Sequence, residues 1–450
     1  MTHDSAALAA PSDGPQAVPP TFTLEQVMGQ FLRWGGAWGD QTINFSFYNT
    51  LPGHLGGDQW WAGFTPFSQV QRAATYRAFD LIADVVNLNF HEVADNQLPP
   101  GANNRRITFG TSTSFPSWAT GAADVAFNPL ISTPSGRSRI DSSETLFNYF
   151  RWGGMYEPGT RNFSVLLHEI LHGLGLPHPG DYNRNPDEEI TYAKHADYAQ
   201  DTGQYTVMSY FGAWESGANH LGSFGSTLLL HDVAAMQLLY GPNMTTRTGD
   251  TVYGFNSTAG RASYDFAVNT KPVVTIWDAG GQDTLNCSGY AMAQIIDLRA
   301  GLFSNIGGLT SNVSIAFGAV IENAVGGAGA DQIRGNDADN RLEGGAGNDW
   351  FLGGAGYDYL IGGAGQDRAR FEGRAEDYFM KQGADGRWVV VGHGDSDLVE
   401  DIEQIVFDDF TLAPGEDVIV CRVEETPVST KGGVEEPEVL PAAAPGGWLI

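Results

Sequence analysis

The chain has 450 residues, 42% of them hydrophobic, which is enough for two or three domains with full cores. Its 53 acids against 24 bases give a net charge of -29, which argues against nucleic acid or an anionic membrane as a partner and leaves solubility or calcium as the reason for the acidity. Two cysteines, Cys287 and Cys421, exclude a disulfide framework, and no run approaches the about 18 apolar residues of a membrane span.

Residues 1–21 are rich in Pro, Ala and Ser, lack the basic start and apolar stretch of an ordinary signal peptide, and read as a disordered leader. From 22 to 242 helical and strand periodicities alternate, which predicts an α+β domain. Thr23 is placed to cap a helix carrying Leu24, Val27, Met28, Phe31 and Leu32 on one face. Thr42 to Tyr48 alternates with a period of two, as a strand does. Ser68 is placed to cap a long helix that buries Phe79, Ile82, Val85 and Val86. Strands are expected from Arg106 to Gly110 and from Ala123 to Phe127.

A helix beginning near Asn162 carries the segment HEILHGLGLPH, from His168 to His178. His168 and His172 are four apart, so both leave one helix face about one turn from each other and can close on one small cation. Glu169 lies beside the first ligand, aimed at water rather than at the metal. Gly175 can enter the left-handed conformation cheaply, which ends the helix and turns the chain back to deliver His178. Three protein ligands leave one zinc position open for water, the catalytic rather than the structural arrangement. Further on, Met208 lies in the run Tyr205 to Tyr210, and Leu228 to Tyr240 reads as a helix stopped by Gly241-Pro242.

From Gly326 the chain falls into five frames of nine residues, GGAGADQIR, GNDADNRLE, GGAGNDWFL, GGAGYDYLI and GGAGQDRAR, ending at Arg370. Each frame predicts a glycine-rich turn followed by a short strand, and stacked frames predict an all-β, right-handed parallel β-roll within a domain spanning 243–412. Ile333, Leu342, Phe351, Leu360 and Ala369 are expected to point inward, although Ala369 is smaller than the pattern asks for. Asp331, Asp349, Asp358 and Asp367 offer hard oxygen ligands suited to calcium, with Asp337 and Asn340 serving the degenerate second frame. Without calcium these carboxylates repel and the glycines favour disorder, so the roll is expected to fold only outside the cell. Strands are expected across Trp388 to Val391 and Ile405 to Phe407, capping the roll. Asp395, Asp397 and Asp401 read as calcium ligands or as solvated loop acids, the second being favoured. The tail from 413 to 450, rich in Pro, Glu, Gly and Ala, reads as disordered.

HExxHxxGxxH followed by a Met-containing turn resembles the metzincin group of zinc peptidases. The extension HPGDYN from His178 and the Tyr two residues past Met208 resemble one metzincin family in particular, the serralysins. That resemblance implies zinc on His168, His172 and His178, Glu169 as general base, and Met208 as an apolar floor beneath the histidines. It also implies that Tyr210 is an additional zinc ligand able to swing away and hydrogen-bond the transition state. The runs RTGDTVYGFN from Arg247 and WDAGGQDT from Trp277 also match serralysin text. They imply further calcium at the carbonyls of Arg247, Gly249 and Thr251, at Asp278, Gly280, Gly281 and Asp283, and at Glu322. His231 departs from the family, which has an acid at that place before Asp232.

The expectation is a secreted, monomeric zinc endopeptidase that binds extended polypeptide along an edge strand, with Ala123 to Phe127 as the candidate edge. By resemblance it leaves the cell in one step through a type I secretion apparatus that reads an uncleaved C-terminal segment. The final GGWLI is apolar but lacks the directly preceding acid. Two other readings stay open at this point: a calcium-dependent binding module with a decayed peptidase domain, and a zinc hydrolase acting on something other than protein.

Overall fold

The computed structural model describes residues 19–33, 36–57, 63–97, 105–112, 121–132, 138–148, 155–180, 182, 189–393 and 395–413. Most of the leader, nearly all of the C-terminal tail including GGWLI and Cys421, and Asp181 and Asn183 of HPGDYN lie outside the described residues. No helix among the described residues is long and apolar enough to cross a membrane.

In the first half of the chain the elements are α1 (Leu24–Arg33), β1 (Ala37–Trp38), β2 (Thr42–Phe47), β3 (Phe64–Thr65), α2 (Gln69–Val85), β4 (Asn89–Glu92), β5 (Ile107–Ser112), β6 (Gly121–Ser132), β7 (Ser138–Asn148), α3 (Arg161–Gly173), α4 (Tyr192–His195) and α5 (Leu230–Tyr240). The expected caps form. Thr23 Oγ1 accepts from the Gln26 amide, and Ser68 closes a capping box with Gln71. On α1 the apolar face is narrower than its pattern suggested: Val27, Met28 and Phe31 are buried, whereas Leu24 is exposed.

The strands form one sheet in the order β1-β7-β5-β2-β4, all parallel, with β3 added antiparallel to β5 and β6 antiparallel to β7. Because β6 pairs only with β7 among the described strands, it is an edge. It contains the segment Ala123 to Phe127, and α3 packs against both β6 and β7.

Among the described residues, the end of the leader is tied down. Pro20 carbonyl accepts from the Ala199 amide at 2.9 Å, and Phe22 stacks on Tyr198 with ring centroids 5.1 Å apart. Proline has no N–H to lose on docking, so this attachment through its carbonyl leaves no donor unpaired.

The second half is almost entirely β: β8 (Val252–Gly254), β9 (Val274–Ile276), β10 (Thr284–Asn286), β11 (Ile295–Asp297), β12 (Phe303–Ser304), β13 (Val313–Ile315), β14 (Asn323–Val325), β15 (Gln332–Arg334), β16 (Arg341–Ala346), β17 (Trp350–Leu352), β18 (Tyr359–Ala364), β19 (Arg368–Arg370), β20 (Tyr378–Gln382), β21 (Trp388–Gly392), β22 (Asp395–Glu400), β23 (Gln404–Val406) and β24 (Thr411–Leu412). Successive nine-residue frames feed two sheets alternately. Strands β8, β10, β14, β16, β18 and β22 stack in one, and β11, β15, β17, β19 and β23 in the other, each by parallel pairing. Leu342 therefore lies opposite Leu360, and Phe351 opposite Ala369. Ile333, Leu342, Phe351, Leu360 and Ala369 are all at most 1% exposed, so even the undersized Ala369 keeps its inward place. The sheets are mixed at their ends, where β20, β21 and β22 run antiparallel, as do β23 and β24.

The two halves share one continuous apolar core and a clamp of charge. Asp84 of α2 accepts from Arg247 Nη1 at 2.8 Å and from Arg261 Nε and Nη2 at 2.9 and 2.8 Å.

Candidate metal centre

Helix α3 is placed by a cap, a stripe and a stop. Thr160 Oγ1 accepts from the Phe163 amide. Phe163, Leu166, Leu167, Ile170 and Leu171 then recur at helical spacing and are fully or almost fully buried. The helix ends in a Schellman turn, in which Leu176 N–H donates to Leu171 carbonyl, Gly175 N–H donates to His172 carbonyl, and Gly175 has φ +98°. Two freed carbonyls at this end also find donors: Trp38 Nε1 bonds Gly173 at 2.9 Å and Tyr240 hydroxyl bonds Leu174 at 2.6 Å.

The turn brings His178 back over the helix. The Nε2 atoms of His172 and His178 lie 3.1 Å apart and those of His178 and His168 lie 3.4 Å apart. On the far side of the rings, His168 Nδ1 lies 2.8 Å from the Val207 carbonyl and His172 Nδ1 lies 2.6 Å from the Leu176 carbonyl. A carbonyl only accepts, so both Nδ1 atoms carry the proton and both Nε2 lone pairs face inward. Burial pushes His168 down to about 4 and His172 well below its ordinary value, the latter also through its two histidine neighbours. Inward-facing lone pairs this close repel one another unless a cation lies between them, and neutral imidazoles are the nitrogen ligands zinc takes. The residues present therefore fit that ion. Among the described residues these three are the one group of three or more His, Cys, Asp or Glu whose ligand atoms all lie within 4.8 Å of one another.

Glu169 is buried, its Oε2 has no hydrogen-bond partner, and burial raises its carboxyl to about 8. Met208 is fully buried in the turn whose Val207 carbonyl holds His168. Tyr210 is 45% exposed, with its ring centroid 4.4 Å from that of His178 and 6.3 Å from that of His168. Pattern reading missed the residue that fixes this turn, Asp232 in the first turn of α5. Its carboxylate accepts from Thr206 hydroxyl and from the amides of Val207 and Leu229. Its neighbour His231 is buried against Tyr205 with ring centroids 4.8 Å apart, and burial lowers it to about 3, so a neutral imidazole fills the place where the resembled family has an acid.

In the second half the carboxylates form two columns. Each aspartate Oδ1 accepts the amide of the residue one coil earlier: Asp331 to Asp349, Asp349 to Asp367, and Asn340 to Asp358, at 2.7–2.9 Å. The Oδ2 atoms of Asp283, Asp349, Asp358 and Asp367 are buried without a hydrogen-bond partner. A Cβ on the first glycine of a frame would lie 2.1–2.2 Å from that oxygen at Gly353 and Gly344. Orphaned buried carboxylate oxygens facing glycine turns fit a hard cation.

Asp331 has both oxygens engaged, by Gln294 and Gly327 amides. Asn340 is likewise satisfied, donating to Glu322 carbonyl and accepting from the Asn336 amide. Asp337 does not join the columns; it is exposed, and Asn340 takes the buried place in its frame. Asp397, read as a solvated loop acid, is instead buried in β22 and accepts the Asp358 amide at 2.9 Å. It continues the column although it falls outside the nine-residue count, as does Glu403, which accepts the Asp367 amide.

Upstream, Asp283 accepts the Thr251 amide and Glu322 accepts the Asp283 amide, both at 2.8 Å. Asp278 is buried and bonds Tyr253 hydroxyl and the Gly280 amide. A Cβ on Gly281 would lie 2.7 Å from the Gly249 carbonyl carbon, so the runs 247–251 and 278–283 face each other closely. Arg247 has φ +50°, and its side chain points to Asp84.

A histidine triad from one helix and the turn that follows it, with a buried glutamate, set beside a largely β half with columns of carboxylates, defines the class of protein. The family model for the serralysin C-terminal region of peptidase family M10 matches residues 242–387. Serralysin of Proteus mirabilis is 41% identical over 61% of this chain and 56% of its own length. Serralysin G of Dickeya chrysanthemi is 40% identical, and metalloprotease AprA of Pseudomonas entomophila 38%, each over 72% of this chain and 66% of its own length. The chain belongs to the serralysin family. The matched region spans between 56% and 66% of the length of these curated relatives.

Proposed function

We propose that the protein is a secreted zinc endopeptidase that hydrolyses peptide bonds in extended polypeptides. The observation that carries this reading is the convergence of three imidazole nitrogens beside a buried glutamate with an unpartnered oxygen. His168, His172 and His178 would hold the ion, with Tyr210 close enough in the fold to reach the same centre. Zinc held there supplies Lewis acidity, which polarises a carbonyl and acidifies water. Glu169 Oε2 accepts the proton of the attacking water and passes it to the leaving amine. Tyr210 hydroxyl donates to the oxyanion that develops on the scissile carbonyl. The edge strand β6, next to α3, would offer a substrate strand the main-chain groups that pair with no other described strand.

Residues 22–242 would form the catalytic domain and 243–412 a calcium-binding parallel β-roll. Asp283, Asp349, Asp358 and Asp367 would supply carboxylate ligands to calcium, together with Glu322 and the carbonyls and acids of the 247–251 and 278–283 runs. Calcium is scarce inside a cell and plentiful outside, so folding of the roll would follow export through a type I apparatus.

Protein supplied with zinc and calcium is expected to digest casein, and Glu169→Ala to lose that activity by at least about 10²-fold while keeping its zinc. His172→Ala is expected to lose both the ion and the activity. Equal digestion by parent and Glu169→Ala would overturn the reading. Bound zinc with no hydrolysis of any protein substrate would favour a zinc hydrolase of another kind.

A further inference from the structure

Next to the triad lies a buried pair that the mechanism above does not use. Tyr182 and Asp201 are 4% and 0% exposed. Tyr182 hydroxyl donates to Asp201 Oδ1 at 2.9 Å and accepts from the main-chain amide of Tyr210 at 3.4 Å. The Tyr182 ring stacks on His178 with centroids 5.6 Å apart and planes 15° apart, and it lies 5.1 Å from the ring of Tyr210. One side chain thus touches both the third histidine and the segment that presents Tyr210. Asp201 in turn is held in a turn fixed to the other side of that segment: its amide donates to Tyr198 carbonyl, and Gly203 N–H donates to Phe211 carbonyl at 2.8 Å.

A phenol buried this deeply needs an acceptor for its hydroxyl, and a main-chain amide at a bend needs an acceptor of its own. The Tyr182 hydroxyl meets both requirements with one atom. Tyr210 is nearly half exposed, and its ring has room to move; Tyr182 is enclosed and does not. The enclosed ring is therefore the fixed reference against which the exposed one is set.

We propose that Tyr182, anchored by Asp201, is a positioning residue that fixes the main chain of Tyr210 and the ring plane of His178 and thereby sets where the Tyr210 hydroxyl meets the developing oxyanion. This rests on the peptidase reading above. Tyr182 touches no reacting atom; it acts through Tyr210. Misplacing a donor by a fraction of an ångström is enough to lose about tenfold in rate.

The test compares parent protein, Tyr182→Phe, Tyr210→Phe and the double variant, each loaded with zinc. Tyr182→Phe keeps the ring stacked on His178 and removes only the bridging hydroxyl. It is expected to retain one zinc per chain, to lose about tenfold in kcat with KM changed less than about twofold, and to bind a phosphinic peptide, a mimic of the tetrahedral state, about tenfold more weakly by calorimetry. In the Tyr210→Phe background the same substitution is expected to cost nothing further in kcat or in phosphinate affinity. Asp201→Ala removes the anchoring carboxylate without overpacking the site, and its effect on kcat is expected to vanish in the Tyr182→Phe background. A Tyr182→Phe protein with parental kcat and phosphinate affinity, or losses that multiply in the double variant, would overturn the proposal alone. A parent chain without zinc-dependent hydrolysis would overturn the peptidase reading and this proposal with it.

Discussion

The protonation of two histidines is decided by carbonyls that are remote or local in sequence. Val207 carbonyl, 39 residues past His168, and Leu176 carbonyl, four past His172, each hold an Nδ1 proton and so turn the Nε2 lone pairs inward. Spacing alone announces the ligands; these carbonyls make them ligands. The same closeness governs the frame glycines. At Gly353 an added Cβ would sit 2.1 Å from Asp358 Oδ2, an atom that is buried. Gly353→Ala is expected to destabilise the second half by about 2 kcal/mol and to weaken calcium binding, read from calcium-dependent melting of variant and parent. A melting curve unchanged at every calcium concentration would show that the oxygen is free to move.

At the scale of elements, α3 could be read because its cap, stripe and glycine stop lie within about 15 residues, where helical periodicity is strongest. The turn that carries Met208 could not be assembled in the same way, since Asp232, which holds it, lies on α5. Similarly, α2 was visible as a helix but its role as a clamp was not. Asp84 gathers Arg247 and Arg261, more than 160 residues away, into one partly buried cluster. Asp84→Ala would leave Arg247 beside two tyrosine rings without its carboxylate. The expected loss is about 2 kcal/mol, below the full value of a buried pair because Arg261 is about one-third exposed. The loss should appear in differential scanning calorimetry as a lower first transition, with the halves uncoupled. A single transition at the parental temperature would count against the clamp.

Over the whole molecule, charge and burial oppose each other in the second half. Without a cation, burial raises Asp283, Asp349 and Asp358 to about 7 and Asp397 to about 8. In the unfolded chain an aspartate titrates near about 3.9. Between these limits the folded state binds more protons than the unfolded state, so stability falls as pH rises from about 4 to 8. In a calcium chelator the second half is expected to melt higher at pH 5 than at pH 8, and added calcium is expected to reverse that order by favouring the charged carboxylates. Stability that rises with pH in the chelator would show that these groups are not buried, cation-free acids.

The chain read alone shows what depends on local repetition. It carried the three histidines and Glu169 on one helix and turn, the two alternating element patterns of the first half, and the nine-residue register that buries one apolar residue per frame. Those signals survive because helix, turn and strand geometry are fixed over a few residues. Which side chains joined the columns once the repeat ended was settled by the fold. Asp397 and Glu403 lie 39 and 36 residues beyond their partners rather than 18, and Asp337 faces solvent while Asn340 holds the column position of its frame. Likewise only the fold set Asp201 against Tyr182 and Asp84 against Arg247. A buried polar group takes whichever partner packing delivers, and packing is settled between segments far apart along the chain.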